Sequence, residues 1–198
     1  MEDIGQKKLI VGISGASGVI YGIRLLETLQ SMSGIETHLV VSNGAKINIA
    51  VETDRRIKDV EALADVVHND KNLAASISSG SFQTDGMIIV PCSMKTLSGV
   101  VNSYADSLIV RAADVVLKER RRLVLVPRES PLHAGHTRLL HEAAVMGAIV
   151  CPPMPAFYTD PQTVDDIVDH TVGRILDLFG IETGLVRRWQ GPTDGEKM

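Results

Sequence analysis

The sequence predicts an α/β fold with a doubly wound parallel sheet, a Rossmann-like or flavodoxin-like three-layer sandwich. Short runs rich in Val, Ile and Leu lack polar alternation, which indicates strands that are covered on both faces. These runs alternate with segments of helical length, a pattern typical of βαβ units with right-handed crossovers. Because no internal repeat or linker interrupts the chain, we expect a single domain over residues 1–198, with a flexible polar tail at about 191–198.

The predicted elements follow one another in a regular order. Strands are expected at residues 9–13, 37–41, 87–90, 123–126 and 148–150, and helices at 20–32, 95–103, 107–119, 133–146 and about 164–179. The stretch after the second strand is less regular, with one helix predicted near 60–65 and a Ser/Gly loop at 76–81. In the last helix the 3.6-residue period predicts one apolar stripe, formed by Val164, Val168, Thr171, Ile175 and Leu178.

Composition excludes several classes of function. The 20 Lys and Arg residues are outnumbered by 24 Asp and Glu residues, a net charge of −4 that argues against non-specific nucleic-acid binding. Aromatic residues make up only 4%, too few for a platform that stacks single-stranded bases. We therefore expect an aliphatic core and no nucleic-acid partner.

Cysteine content and hydropathy predict the compartment. Cys92 and Cys151 are too few for a disulfide framework, and a buried position at a strand end is the simpler expectation for both. The polar N-terminus lacks the apolar segment of a signal peptide, and no run approaches the roughly 20 apolar residues of a membrane helix. The sequence thus predicts a cytoplasmic protein without a membrane partner.

Small polar residues follow each predicted strand. In open parallel sheets ligands bind beyond the carboxyl ends of the strands, so these segments are expected to share one rim. They lie at residues 14–18, 42–44, 91–96, 127–130 and 151–158. Hydroxyl groups, backbone amides and Arg128 therefore converge on a single candidate site.

The glycines of the first loop argue against NAD. A dinucleotide fingerprint needs Gly-x-Gly-x-x-Gly and a later acid, whereas this chain has Ser14 between Gly12 and Gly18 and ends its second strand in Ser42. Two explanations remain open for a turn of small residues entering a helix: unpaired amides that attract phosphate, or tight packing of helix on strand. A second such turn, at residues 93–96, favours a phosphorylated ligand.

Eight segments, in order, resemble the flavin prenyltransferase family (UbiX-like) from residue 9 to about 191. They are 15–22, 52–53, 79–82, 91–97, 111–114 with 117–119, 123–129, 152–158 and 187–189. Within that family, Ser81-Phe82 and residues 154–158 are most similar to the branch associated with phenolic-acid decarboxylases.

The resemblance implies an enzyme that joins the dimethylallyl group of dimethylallyl monophosphate to reduced FMN. The prenylated FMN would then serve a partner decarboxylase of the aromatic-acid or ubiquinone type. The resemblance also implies a homododecamer with active sites at subunit junctions, and no metal.

The same resemblance assigns site residues. FMN would be held by Gly15, Ala16, Ser17, Ser42, Ser93, Met94, Lys95, Thr96 and Arg128. The prenyl donor would be surrounded by Arg111, Lys118, Arg128, Glu129, Tyr158, Arg174 and Trp189, and the catalytic residues would be Ser17, Glu52 and Glu129.

These residue types suit the implied reaction. Arginine and lysine stabilise the negative charge that builds on a departing phosphate, and aromatic faces stabilise an allylic cation. A carboxylate such as Glu129, or the phosphate itself, could relay the proton that leaves the flavin ring.

Structural explanations compete with these assignments. Arg111 and Lys118, with Asp114 between them, could form a surface ladder of ion pairs, and Arg174 could pair with Asp177 on the helix surface. His133, His136 and His141 are expected to be solvated rather than metal-bound. The stretch 136–141 also carries Arg138 where the family usually has an acid and an amide.

Two other functions remain open. A non-catalytic FMN-binding subunit of an aromatic-acid decarboxylase would accommodate the altered stretch at 136–141. A flavin-dependent cysteine decarboxylase of the same fold is disfavoured, because residues 153–155 read Pro-Met-Pro and lack the Asn of that group.

Overall fold

The computed structural model describes residues 6–191, which fall into two compact units. The first unit runs to Pro153 and the second begins at Met154. The single-domain organisation stays a prediction, and the residues of the expected flexible tail after Gly191 lie outside the described part of the chain.

The first unit is built on a six-stranded sheet in which every pairing is parallel. Its strands are β1 (Lys7–Ile13), β2 (Ile35–Val41), β3 (Val66–His68), β4 (Gly86–Cys92), β5 (Arg122–Pro127) and β6 (Ile149–Val150). The spatial order is β3-β2-β1-β4-β5-β6, so the direction of winding reverses between β1 and β4. This doubly wound arrangement confirms the predicted fold class and places a ligand crevice at the carboxyl ends of those two strands.

Helices connect successive strands of the first unit. They are α1 (Val19–Gln30), α2 (Asn43–Glu52), α3 (Ile57–Glu61), α4 (Met94–Val101), α5 (Leu108–Lys118) and α6 (Ala134–Val145). The hydrophobic core lies in the sheet and against α1, α4 and α5, and its largest buried side chains are aliphatic, as the composition predicts. No described helix is long and apolar enough to cross a membrane.

The thiol of Cys92 belongs to this core. Its side chain is fully buried at the end of β4, and burial raises the pKa of the thiol to about 12. The prediction of a core cysteine is therefore confirmed for Cys92, whereas Cys151 is only partly buried.

Three elements differ from the sequence-based expectation. The short edge strand β3 was not predicted, because three residues flanked by polar segments carry no detectable periodicity. The helix α2 was also missed, since its opening Asn43-Gly44 has the composition of a turn. The helix expected near 60–65 instead spans Ile57–Glu61, and the chain then enters β3.

A chain of hydrogen bonds crosses β1, β2 and β3. Nδ1 of the buried His38 lies 2.9 Å from Nε2 of His68, and its Nε2 lies 2.7 Å from a carboxylate oxygen of Glu36. The same oxygen accepts a hydrogen bond from Lys8 at 3.1 Å. With a carboxylate at one end, a neutral His38 must accept on Nδ1, so His68 donates to it.

The second unit contains a 3-10 turn at Phe157–Thr159 and the helix α7 (Val164–Asp177). A capping box begins α7: Thr163 accepts from the Asp166 amide, and the Asp166 side chain accepts from the Thr163 amide. Val168, Thr171 and Ile175 are buried as predicted. Val164 is 75% exposed, so its inclusion in the apolar stripe was wrong; it is the first residue of α7 and faces solvent.

Candidate functional site

A cleft of about 540 Å³ opens at the carboxyl ends of β1, β2 and β4. Its size falls within the roughly 300–1,000 Å³ typical of small-molecule sites. Seven of the predicted site residues line it: Gly15, Ser42, Ser93, Met94, Lys95, Thr96 and Glu129. The structure thus brings together the loops after the first, second and third predicted strands.

Ser14 joins two of these loops. The fully buried Ser14 hydroxyl donates to the Pro91 carbonyl at 2.9 Å and accepts from the Ser93 amide at 2.8 Å. Its own amide donates to the same carbonyl at 3.1 Å. The serine that argues against a dinucleotide fingerprint therefore fixes the β1 loop to the β4 loop, a role that sequence reasoning did not assign.

Gly15 and Gly44 let two backbones approach closely. A Cβ atom added at Gly15 would lie 3.0 Å from the Gly44 Cα atom, and one added at Gly44 would lie 3.1 Å from the Gly15 Cα atom. Any side chain at either position would collide with main chain rather than with a flexible group. This contact holds the first loop against the start of α2 at the cleft wall.

Two serines cap the helices that begin at the cleft. The Ser42 hydroxyl accepts from the Ala45 amide at 3.1 Å, and the Ser93 hydroxyl accepts from the Thr96 amide at 3.3 Å and donates to the Thr96 hydroxyl at 3.1 Å. The N-termini of α2 and α4 therefore both open onto the cleft, where helix dipoles and amides favour an anion.

The N-terminus of α1 differs from that pattern. A carboxylate oxygen of Glu52 accepts from the amides of Gly18 at 2.8 Å and Val19 at 3.2 Å. Of the two explanations left open for this turn, unpaired amides do not apply to Gly18 and Val19, because an acid from the end of α2 already binds them. Neither Glu52 nor Ser17 lines the cleft, and their catalytic roles stay predictions.

Charged residues that sequence reasoning missed also line the cleft. They are Lys46 on α2, Asp70 and Lys71 after β3, and Asp106 before α5. Asp70 caps the N-terminus of α5: its carbonyl accepts from the Leu108 amide and its carboxylate from the Ile109 amide. Lys95 lies 3.7 Å from Asp106. The segment 69–71 was overlooked because β3 was overlooked, so nothing in the sequence placed it on the rim.

The loop after β5 contributes Glu129 and Arg128. Glu129 lines the cleft and accepts from the Ser130 amide at 3.1 Å. Arg128 is exposed beside it, and its amide donates to the Cys92 carbonyl at 3.3 Å. Arg128 does not line the cleft in this chain, nor does Ala16, which is buried.

Arg111 and Lys118 lie on α5, away from the cleft lining. Arg111 donates to the Ser78 carbonyl at 3.2 Å and pairs with Asp114 at 2.8 Å, while Lys118 pairs with Glu119. Arg111 shows the pairing with Asp114 that the structural explanation predicts, whereas the described partner of Lys118 is Glu119 and not Asp114. Their role around a prenyl donor stays a prediction.

The second unit groups three predicted donor residues with an unpredicted arginine. The Tyr158 and Trp189 rings meet edge to face with centroids 5.7 Å apart. Arg174 pairs with Asp177 at 2.8 Å, and Arg188 reaches both oxygens of the same carboxylate at 3.1 Å. The two guanidinium groups share the Asp177 carboxylate, and a carboxylate oxygen of Glu182 lies 3.9 Å from Arg188. The planar donor groups of both arginines are of the kind that binds phosphate oxygens.

The arginine of the stretch that departs from the family pattern has a local partner, whereas Nδ1 of His136 is buried without a hydrogen-bond partner among the described residues. Arg138 donates to both carboxylate oxygens of Glu142 at 2.8 Å, one turn along α6. His133 caps the same helix by accepting from the Gly135 amide, and its ring lies 3.6 Å from that of His136. Among residues 6–191, no group of three or more His, Cys, Asp or Glu side chains could hold a metal ion.

Comparison with known proteins identifies the family. A family model described as Flavoprotein matches residues 1–176. The flavin prenyltransferase UbiX of Escherichia coli K12 is 60% identical over 188 residues, which cover 94% of this chain and all of that protein. A probable UbiX-like flavin prenyltransferase of Streptomyces sp. strain D7 is 58% identical over 93% of this chain and 92% of its own length.

A solved structure agrees with these sequences. The crystal structure of AnUbiX (PadA1) in complex with FMN and dimethylallyl pyrophosphate has a TM-score of 0.92 and 49% identity, covering 95% of this chain and 100% of that one. The crystal structure of a dodecameric FMN-dependent UbiX-like decarboxylase from Escherichia coli O157:H7 has a TM-score of 0.91 and 58% identity, over 93% and 100% of the two chains. With its cleft at the β1/β4 switch point and these relatives across nearly its whole length, the chain belongs to the flavin prenyltransferase (UbiX-like) family of flavoproteins.

Proposed function

We propose that the chain transfers a dimethylallyl group from dimethylallyl monophosphate to reduced FMN. The observation that carries this proposal is the cleft of about 540 Å³, onto which two capped helix N-termini open, in a chain 60% identical to a flavin prenyltransferase. Reduced FMN supplies the ring nitrogen and neighbouring carbon that bond to the dimethylallyl group as the donor's phosphate leaves.

The cleft residues fit FMN. Its phosphate matches the amides at the starts of α2 and α4 and the ammonium groups of Lys46 and Lys71. The Gly15–Gly44 contact leaves a smooth wall of main chain, which suits the close approach of a flat ring. We therefore assign FMN binding to Gly15, Ser42 and residues 93–96 of the cleft lining. Ala16, Ser17 and Arg128 lie outside that lining, and their assignment to FMN rests on the resemblance.

The donor phosphate is assigned to the arginine–aromatic cluster of the second unit, formed by Arg174, Arg188, Tyr158 and Trp189. Arg174 and Arg188 hold it while negative charge grows on the leaving oxygen, and Tyr158 and Trp189 present ring surface to the allylic carbon. Glu129 takes part in removing the proton from the flavin ring carbon. The assignment of Arg111 and Lys118 to the donor rests on the resemblance alone.

Assembly and partner are part of the proposal. A relative solved as a dodecamer supports a homododecamer, and exposed apolar side chains such as Ile47, Val51 and Phe157 suit contacts between copies. The product serves a separate aromatic-acid or ubiquinone-type decarboxylase. Two cysteines with no disulfide support a cytoplasmic location.

Anaerobic incubation with reduced FMN and dimethylallyl monophosphate, followed by the mass of the extracted flavin, tests the activity. We expect a flavin heavier by one C₅H₈ group, and a parallel reaction with dimethylallyl pyrophosphate measures donor preference. Glu142→Gln, which removes an exposed ion pair on α6, is the matched control and should leave the yield unchanged. Retention of FMN with unchanged mass in both reactions would contradict the transferase and support the non-catalytic FMN-binding subunit.

A further inference from the structure

His170 is a buried histidine that no assignment above uses. It lies on α7 with 8% of its surface exposed, and its Nδ1 atom is buried without a hydrogen-bond partner among the described residues. A buried polar atom without a partner is costly, so packing alone would be served better by an apolar side chain. We therefore look for a role of the His170 ring other than packing.

The ring of His170 supports the ring of Tyr158. Their centroids lie 5.9 Å apart with an interplanar angle of 88°, and Tyr158 makes a similar contact with Trp189 at 5.7 Å and 79°. Tyr158 is 53% exposed and Trp189 is 66% exposed, so solvent leaves both free to change rotamer. His170 is the buried member of this row: it contacts Tyr158 edge to face, and Tyr158 in turn contacts Trp189.

Burial is the main influence on the pKa of the His170 imidazole. Burial lowers the pKa of His170, Arg174 one turn along α7 lowers the pKa further, and Asp177 opposes them. A hollow of about 370 Å³ beside His170 is also lined by Asp160, Asp166, Asp169 and Arg187. Of these, Asp166 is committed to the capping box and Arg187 donates to the Thr159 carbonyl.

We propose that His170 is a positioning residue of the prenyl-donor site, whose buried ring holds Tyr158 in place against Trp189. The proposal rests on the proposed function, because it gives Tyr158 and Trp189 their role beside the donor. The ring of His170 positions Tyr158, and its nitrogen makes that support depend on pH. A protonated imidazole beside Arg174 leaves the buried position and releases Tyr158.

Trp189 provides a readout that needs no turnover, because it is the single tryptophan of the chain. His170→Ala should change the emission of Trp189 at every pH, since Tyr158 loses its support. His170→Phe, which keeps an aromatic ring, should keep the wild-type emission at pH about 8. On acidification below pH about 6.5 the wild-type emission should change, while that of His170→Phe stays constant.

Kinetics provides the second readout. His170→Ala should raise the KM for dimethylallyl monophosphate about fivefold with kcat and FMN affinity within about twofold of wild type. His170→Phe should restore the KM, and His170→Ala should add nothing in a Tyr158→Ala background. His141→Ala, an exposed histidine of α6, is the control and should change neither readout.

Each outcome decides the proposal. Equal effects of His170→Ala and His170→Phe, additivity with Tyr158→Ala, or an unchanged Trp189 emission would overturn it. If His170→Ala does not fold, the pH response of wild type against His170→Phe still decides. If the wild type forms no prenylated flavin, the proposed function fails, while the emission experiments still report whether His170 positions Tyr158.

Discussion

The cleft of the first unit and the arginine–aromatic cluster of the second are built from opposite kinds of groups. The cleft depends on main chain and small side chains: Ser14 ties two loops by three hydrogen bonds, and Gly15 touches Gly44 directly. The second unit depends on long side chains, with two arginines on Asp177 and exposed rings at Tyr158 and Trp189. The difference teaches that the first site resists adjustment because backbone cannot repack, whereas the second can change rotamers and needs support.

Removing an arginine from the second unit should have the largest effect on activity. We expect Arg174→Ala to lower kcat/KM for the prenyl donor at least a hundredfold, because a desolvated phosphate loses a charge-assisted bond, while FMN affinity stays within twofold. Product formation and FMN titration measure the two effects. Arg138→Ala, which breaks only the surface pair with Glu142, is the control. Loss of FMN binding in Arg174→Ala would show that the two sites are not divided in this way.

A methyl group added to the first unit tests its rigidity. A Cβ at Gly22 of α1 would lie 2.5 Å from the Val90 carbonyl oxygen and 3.0 Å from the Ile13 side chain. We expect Gly22→Ala to lower the free energy of unfolding by about 2–3 kcal/mol, because main chain must shift, and to weaken FMN binding. Gly99→Ala, whose nearest contact is the Val110 side chain at 3.0 Å, should cost less than half as much in denaturant titrations. Equal losses of unfolding free energy in Gly22→Ala and Gly99→Ala would contradict a cleft that is held by main-chain contacts.

Substitutions at Glu52 distinguish a structural role of this residue in the first unit from a catalytic one. Glu52→Ala removes the acceptor of the Gly18 and Val19 amides and should lower the free energy of unfolding by about 1 kcal/mol. Glu52→Gln keeps an acceptor oxygen and should retain most of that stability. If the predicted catalytic role holds, Glu52→Gln still lowers kcat at least tenfold; full activity in this variant would assign Glu52 to helix capping alone.

The smallest expected effect concerns the hydrogen-bonded chain across β1, β2 and β3. Burial and the neighbouring His38 lower the pKa of His68 below its usual 6.5, and hydrogen bonds from His38 and Lys8 lower the pKa of Glu36 below its usual 4.5. Because both folded-state pKa values are depressed, the unfolded chain binds more protons as pH falls. Stability is thus fully present above pH about 6.5 and is lost progressively below it.

Thermal unfolding at pH about 7.5 and about 5.5 measures this loss. We expect less than about 1 kcal/mol from His68, because solvent screens its partly exposed ring. His68→Phe should flatten the pH dependence of stability in that interval, because position 68 then carries no group that titrates. The same pH slope in both proteins would contradict a link between this chain and stability.

The sequence anticipated the elements with strong periodicity and missed those without it. The five predicted strands were correct within a few residues, because buried parallel strands need continuous Val, Ile and Leu. The strand β3 and helix α2 were missed, since both depend on neighbours rather than on local pattern. The charged residues Asp70 and Lys71 reach the cleft through β3, so they were missed with it.

By itself, the sequence determined the fold class, the aliphatic core and the rim on which small polar residues converge, because these follow from residue periodicity and the topology of parallel sheets. The resemblance of eight segments added the family. Tertiary structure alone decided which partners each side chain has: Glu52 lies on the amides of α1, Arg174 shares Asp177 with Arg188, and His170 lies under Tyr158. These contacts join residues distant in the chain or depend on side-chain rotamers, and neither the distances nor the rotamers are encoded in local spacing.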